Sequence, residues 1–132
     1  MAHILLIDDD DLLRDTVQQM LELDGHKVTE AASGELGLQQ FARHSGRATS
    51  AGGFDLVITD MLMPGTDGAR VIVELRRGQP DLPIIAISGG RRVLSAQFNL
   101  ETATLAGATC QLAKPFSRHD LQSAVHKATA QR

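Results

Sequence analysis

The run Ile4-Leu5-Leu6-Ile7 is apolar at every position and is followed at once by four aspartates, Asp8-Asp9-Asp10-Asp11. A strand with one wet face alternates apolar and polar residues. An unbroken apolar run belongs instead to a strand covered on both faces, as in a parallel sheet flanked by helices. Four adjacent carboxylates at the end of a buried strand repel one another and ask for a cation. In open α/β sheets, ligands gather beyond the carboxyl ends of the strands, which is where these aspartates fall.

Three further strand-like runs end in groups of matching chemistry: Phe54 to Thr59 in Asp60, Ile84 to Ile87 in Ser88, and Thr109 to Ala113 in Lys114. Carboxylates, a hydroxyl and an ammonium on neighbouring strand ends can hold a divalent metal and a phosphoryl group together. Val28 to Ala31 complete the set as a short second strand.

Helical patterns separate the strands. Leu12, Leu13, Val17, Met20, Leu21 and Leu23 recur at helical spacing, with Gly25 as the stop. Ser33 is the expected N-cap of a helix carrying Leu36, Leu38, Phe41 and Ala42, and the aperiodic stretch from His44 to Gly53 reads as a mobile loop. Asp67 is expected to cap a helix with Ala69, Val71, Ile72 and Leu75 inward, ended by Gly78 and Pro80. A fourth helix is expected between Gly89 and Gly107. Ser117 and Asp120 form a capping-box pattern before a last helix with Leu121, Val125 and Ala128 inward. The alternation predicts a doubly wound α/β fold, (βα)5, with five parallel strands.

At 132 residues the chain has room for one domain, 1–132, and little else. A net charge of −3 gives no bulk attraction to nucleic acid or to an anionic membrane, and the pairs Arg76-Arg77 and Arg91-Arg92 read as solvated helix or loop residues. The one cysteine, Cys110, reads as a small buried residue of a strand in a reducing compartment. No apolar run approaches the roughly 18 residues of a membrane span, and no signal-peptide pattern precedes the first strand, so a soluble cytoplasmic protein is expected. The histidines, His3, His26, His44, His119 and His126, are scattered without metal-ligand spacing and read as surface or half-buried residues.

Taken together, Ile7-Asp8-Asp9-Asp10, the loop from Ile58 through Asp60 and Pro64 to Gly68, Ile87-Ser88-Gly89, and Ala113-Lys114-Pro115-Phe116 resemble the receiver domain of bacterial two-component response regulators over essentially the whole chain. The resemblance implies a flavodoxin-like receiver fold with strand order 2-1-3-4-5. It also implies a phosphoacceptor signalling domain of a phosphorelay, regulatory rather than enzymatic, that switches conformation on phosphorylation. Its phosphoryl donor would be a histidine kinase or histidine phosphotransfer protein. Downstream stands a protein target or an output domain cut from the chain, with a homodimer among the expected outcomes of phosphorylation.

Residue by residue, Asp60 is the implied nucleophile; its carboxylate is already anionic at neutral pH and needs no general base. It does need relief from repulsion as one anion approaches another, which Mg2+ supplies. The expected direct ligands are Asp9, Asp60 and the backbone carbonyl of Leu62, with Asp8 acting through a metal-bound water. Asp10 and Asp11 are read as helix-capping residues. Lys114 is expected to pair with Asp60 and then with the phosphoryl oxygens, Pro115 to follow a cis peptide bond, and Ser88 to donate a hydrogen bond to the phosphoryl group. Gly65 and Gly68 are assigned to loop geometry, and Met61 and Met63 to packing.

The chain departs from the family pattern at Gln111, three residues before Lys114, where many receivers carry an aromatic switch; the sequence has no Tyr or Trp at all. The segment between Ser88 and Lys114 and the loop before the third strand look longer than usual. The rival reading is a metal-dependent phosphohydrolase using an aspartyl phosphate, but such enzymes place the nucleophile in Asp-x-Asp on strand one and add a cap domain. A mononucleotide carrier would want a phosphate-cradling loop where the four aspartates stand.

Overall fold

The computed structural model of the chain describes residues 2–45, 53–63, 66–88 and 107–130. Five strands form one parallel sheet: β1 (His3–Ile7), β2 (Lys27–Ala31), β3 (Leu56–Asp60), β4 (Ile84–Ser88) and β5 (Cys110–Ala113), in the order β2-β1-β3-β4-β5. The helices among the described residues are α1 (Asp11–Leu23), α2 (Gly34–Ser45), α3 (Gly68–Gly78) and α4 (Arg118–Ala130). Leu62–Met63 and Thr66–Asp67 add a short antiparallel pairing between β3 and α3. This is the predicted doubly wound sheet. The helix expected between Gly89 and Gly107 and Arg91-Arg92 lie outside the described residues, as do the side chains of Met63 and Asp67.

The unbroken apolar runs divide between two cores by simple alternation. Leu5, Ile7, Val57, Ile84 and Ala86 point to one face, against Phe41 of α2 and Val71, Ile72 and Leu75 of α3. Ile4, Leu6, Leu56, Ile58, Ile85 and Ile87 point to the other, against Val17 and Leu21 of α1 and Leu121, Val125 and Ala128 of α4. Each wholly buried Ile or Leu contributes about 1.5–3 kcal/mol, so apolar residues are favoured at every strand position rather than at every second one.

Helix ends follow local chemistry. The Asp10 carboxylate accepts the N–H groups of Leu12 and Leu13, both at 3.1 Å, and so caps α1. Gly25, at φ 90°, closes it: its N–H donates to Glu22 O while the His26 N–H reaches back to Leu21 O. Ser33 Oγ accepts the Leu36 N–H, and Ser117 and Asp120 exchange two 3.0 Å bonds at the start of α4.

One helical face is narrowed and two expectations are corrected. Leu12 and Leu23 share the helical spacing of α1 but are 77% and 72% exposed, because they lie across the helix from the Val17–Leu21 stripe. His44 and Ser45 belong to α2, not to the loop; the His44 ring packs against His3 and Phe54 at centroid distances of 5.7 and 4.7 Å, which extends the helix. Residues 46–52 lie outside the described residues. Arg76 is no solvated residue: its guanidinium donates to the carbonyls of Gly107, Pro80 and Leu82 and to Thr109 Oγ1, tying the end of α3 to the start of β5. Arg77 is exposed and pairs with Glu74.

Glycine sets the approach of α2 to the sheet. Gly37 is buried against β1, and a Cβ there would stand 2.4 Å from Ile7 Cδ1 and 2.6 Å from Ile7 Cγ1. No helix among the described residues is long and apolar enough to cross a membrane.

Candidate functional site

The register brings the chemistry of four strands to one level. Ile7 pairs with Thr59, Asp60 with Ile87, and Ser88 with Ala113. One residue further along each strand, Asp8 falls beside Asp60, and Lys114 beyond Ser88. Backbone bonds extend the ladders into these turns: Asp8 N–H to Ala31 O, Met61 N–H to Ile87 O, and Lys114 N–H to Ser88 O at 2.7 Å. The peptide bond between Lys114 and Pro115 is cis.

Asp60 is 3% exposed, and Lys114 Nζ donates to its Oδ2 at 2.8 Å. A buried carboxylate is tolerated when paired in this way. Ser88 is wholly buried at the end of β4, and Thr59 Oγ1 donates to the Asp60 carbonyl at 3.1 Å. Met61 is buried in the α3-side core, in keeping with a packing role.

Asp8, Asp9 and Asp60 each turn a carboxylate oxygen into one cluster whose atoms lie within 4.8 Å of one another. Asp8 is 1% exposed; its Oδ1 accepts the Asp10 N–H, but its Oδ2 has no hydrogen-bond partner. Burial raises the Asp8 pKa to about 6, with Asp60 and Asp9 adding to the rise and the Asp10 N–H and Lys114 opposing it. An orphaned buried oxygen among three carboxylates fits a hard divalent cation, which prefers oxygen donors, and leaves soft metals unserved.

The profile of the response regulator receiver domain family matches residues 4–126. The chain belongs to that family. Among curated relatives, AfsQ1 of Streptomyces coelicolor, a transcriptional regulatory protein, is 34% identical over 87% of this chain and 45% of its own length. GlrR of Escherichia coli, also a transcriptional regulatory protein, is 32% identical over 98% of this chain and 27% of its own. The chain thus spans about half or less of the length of the curated relatives it matches. Among solved structures, a receiver domain protein from Clostridium thermocellum is 30% identical, with a TM-score of 0.85 over 99% of this chain and 96% of that one. The receiver domain of NtrX from Brucella abortus is 27% identical, with a TM-score of 0.81 over 98% and 99%.

Within this receiver domain, Asp8, Asp9, Asp60 and Lys114 converge as a group, and Ser88 lies next to them in the register. Leu62 stands two residues past Asp60, paired through the backbone with Asp67. Asp10 and Asp11 stand apart: Asp10 caps α1, and Asp11 is 86% exposed and pairs with Arg14. The histidines form no metal cluster among the described residues. Gln111 lies on β5, exposed, opposite Ala86. Sequence reasoning missed Arg14, whose guanidinium reaches the backbone of Asp8; its one sequence signal is a position in the first turn of α1, directly after the acidic loop.

Proposed function

We propose that this receiver domain takes a phosphoryl group onto Asp60 from a phosphohistidine on a histidine kinase or histidine phosphotransfer protein. An Asp60 carboxylate oxygen forms the new bond to phosphorus as the bond to the donor imidazole breaks, and the departing nitrogen keeps the electron pair and takes a proton. The observation that carries this reading is the 2.8 Å pairing of Lys114 with Asp60 beside an acidic cluster with an orphaned oxygen. Lys114 holds Asp60 in place beforehand and follows the phosphoryl oxygens afterwards, a task suited to a mobile ammonium. The Ser88 hydroxyl donates to the same oxygens and is drawn toward them.

Asp9, Asp60 and the Leu62 carbonyl would hold Mg2+ directly, with Asp8 reached through water. When bound, the ion supplies the positive charge that lets an anionic phosphoryl group approach an anionic carboxylate. The remaining work belongs to positioning by the chain. Residues 1–132 act as a single cytoplasmic regulatory domain, read by a protein target or by an output domain of a longer polypeptide. The relatives named as transcriptional regulators, of which this chain matches less than half, favour the second case. An aspartyl-phosphate phosphohydrolase is disfavoured by the placing of the paired carboxylate on β3.

The test is incubation with a small acyl-phosphate or phosphoramidate donor and Mg2+, followed by intact-mass analysis. One hydroxylamine-labile phosphoryl group is expected, and none on Asp60→Asn. A stable adduct retained by Asp60→Asn overturns the assignment, and sustained turnover of a small phosphoester would favour the phosphohydrolase.

A further inference from the structure

Arg14 lies on α1, outside the acidic cluster, with its side chain 16% exposed. Its guanidinium makes three contacts with three pieces of chain. Nη1 donates to the backbone carbonyl of Asp8 at 2.7 Å, Nη2 to Asp11 Oδ1 at 2.7 Å, and Nε faces Glu30 Oε1 on β2 at 3.4 Å. The contact with Asp8 matters most. Asp8 follows the last paired residue of β1, so its carbonyl lies past the ladder to β3.

We infer that Arg14 is a positioning residue for the divalent-cation site, setting the directions of the Asp8 and Asp9 carboxylates through the Asp8 carbonyl. The inference rests on the reading of Asp8, Asp9 and Asp60 as that site. A peptide unit is planar, so holding the Asp8 carbonyl also fixes the Asp9 nitrogen and the direction in which Asp9 leaves the strand. Asp8 is then held at three points: N–H to Ala31, carbonyl to Arg14, and Oδ1 to the Asp10 N–H. What remains is Oδ2, the orphaned oxygen of the cluster. A flexible loop of adjacent aspartates would splay apart by mutual repulsion, and the fork of Arg14 prevents this from outside. Asp11 and Glu30 offset its charge, so a guanidinium stands near a cation site without competing for the cluster's carboxylates.

Positioning and plain electrostatics predict opposite signs. Removing a nearby positive charge should tighten cation binding by Coulomb's law. Removing a positioning group should weaken it, typically by tenfold or more for outer contacts of metal sites. The experiment is calorimetric titration of the metal-free chain with MgCl2, since the absence of Trp and Tyr denies a fluorescence readout. In Arg14→Ala, Mg2+ is expected to bind roughly tenfold more weakly, with faster amide exchange at Asp9 and Asp10 in the metal-free protein. Unchanged or tighter binding overturns the inference. If Arg14→Ala does not fold, Arg14→Lys decides: its charge is unchanged but an ammonium cannot reproduce the fork. Severalfold weaker binding then supports the inference, and wild-type affinity overturns it. Asp9→Ala, titrated alongside, tests the underlying site. Wild-type affinity in that variant would sink the site itself, whatever Arg14 does.

Discussion

Lys114 and Asp60 stand 54 positions apart in the chain, yet their charged atoms meet at 2.8 Å from turns on either side of β4. The parallel register accounts for it. Asp60 ends β3, Lys114 follows β5, and β4 between them holds both turns by backbone bonds from Met61 to Ile87 and from Lys114 to Ser88. One ammonium thus faces a cluster of three carboxylates.

Lys114→Ala should slow Asp60 phosphorylation by a small donor roughly a hundredfold, the usual effect of removing one fixed donor to developing phosphoryl charge. The same variant should bind Mg2+ more tightly, because Lys114 competes directly for Asp60. Mass-spectrometric time courses and calorimetry read both effects. A variant that phosphorylates at the wild-type rate would exclude Lys114 from the reaction.

Asp8→Asn should stabilise the metal-free protein at neutral pH. The folded chain raises the Asp8 pKa from 3.8 to about 6, so folding holds its proton more tightly than unfolding does. The sign follows: stability associated with Asp8 is fullest below pH 3.8 and falls as pH rises to about 6. That shift corresponds to about 3 kcal/mol above the window. The asparagine gain should therefore approach roughly 1–3 kcal/mol near pH 7 and vanish near pH 4. Urea unfolding in chelator at several pH values checks it, and a loss of stability at pH 7 would contradict the cost of burying a carboxylate with one orphaned oxygen.

Gly37→Ala pits helix propensity against packing. Alanine gains about 1 kcal/mol over glycine inside a helix. Its Cβ would meet Ile7 at 2.4 Å, and Ile7 is wholly buried, so either the side chain or the helix must shift. Overpacking of this kind costs about 1–3 kcal/mol, and a net loss of stability is expected. A raised melting temperature would show that Ile7 has room to move.

Ser88→Ala should blunt the conformational response to phosphorylation more than Gln111→Ala does. Ser88 is buried beside Asp60, whereas Gln111 is an exposed residue of β5 with no ring to rotate. Chemical-shift changes on phosphorylation should gather after β4 and β5, including the segment from Gly89 to Leu100 that lies outside the described residues. If Gln111→Ala abolished those changes in a normally phosphorylated protein, the glutamine would be the switch.

Much of this protein was legible in its sequence. Five strands could be read from runs such as Ile4 to Ile7 because strands covered on both faces admit apolar residues throughout. The caps at Ser33, Ser117 and Asp120 could be read because their bonds join residues three apart. The convergence of Asp8, Asp9, Asp60 and Lys114 was legible because parallel strands place their carboxyl ends on one side of a sheet. Tertiary structure decided the rest. The exposure of Leu12 and Leu23, the membership of His44 in α2, and the bonds of Arg14 and Arg76 depend on partners distant in the chain. Long side chains reach whichever acceptor the packing leaves unpaired, and local patterns do not encode which one that is. The orphaned Asp8 oxygen is of the same kind: four aspartates state the charge, but only the packed strands decide which oxygen loses water and gains no partner.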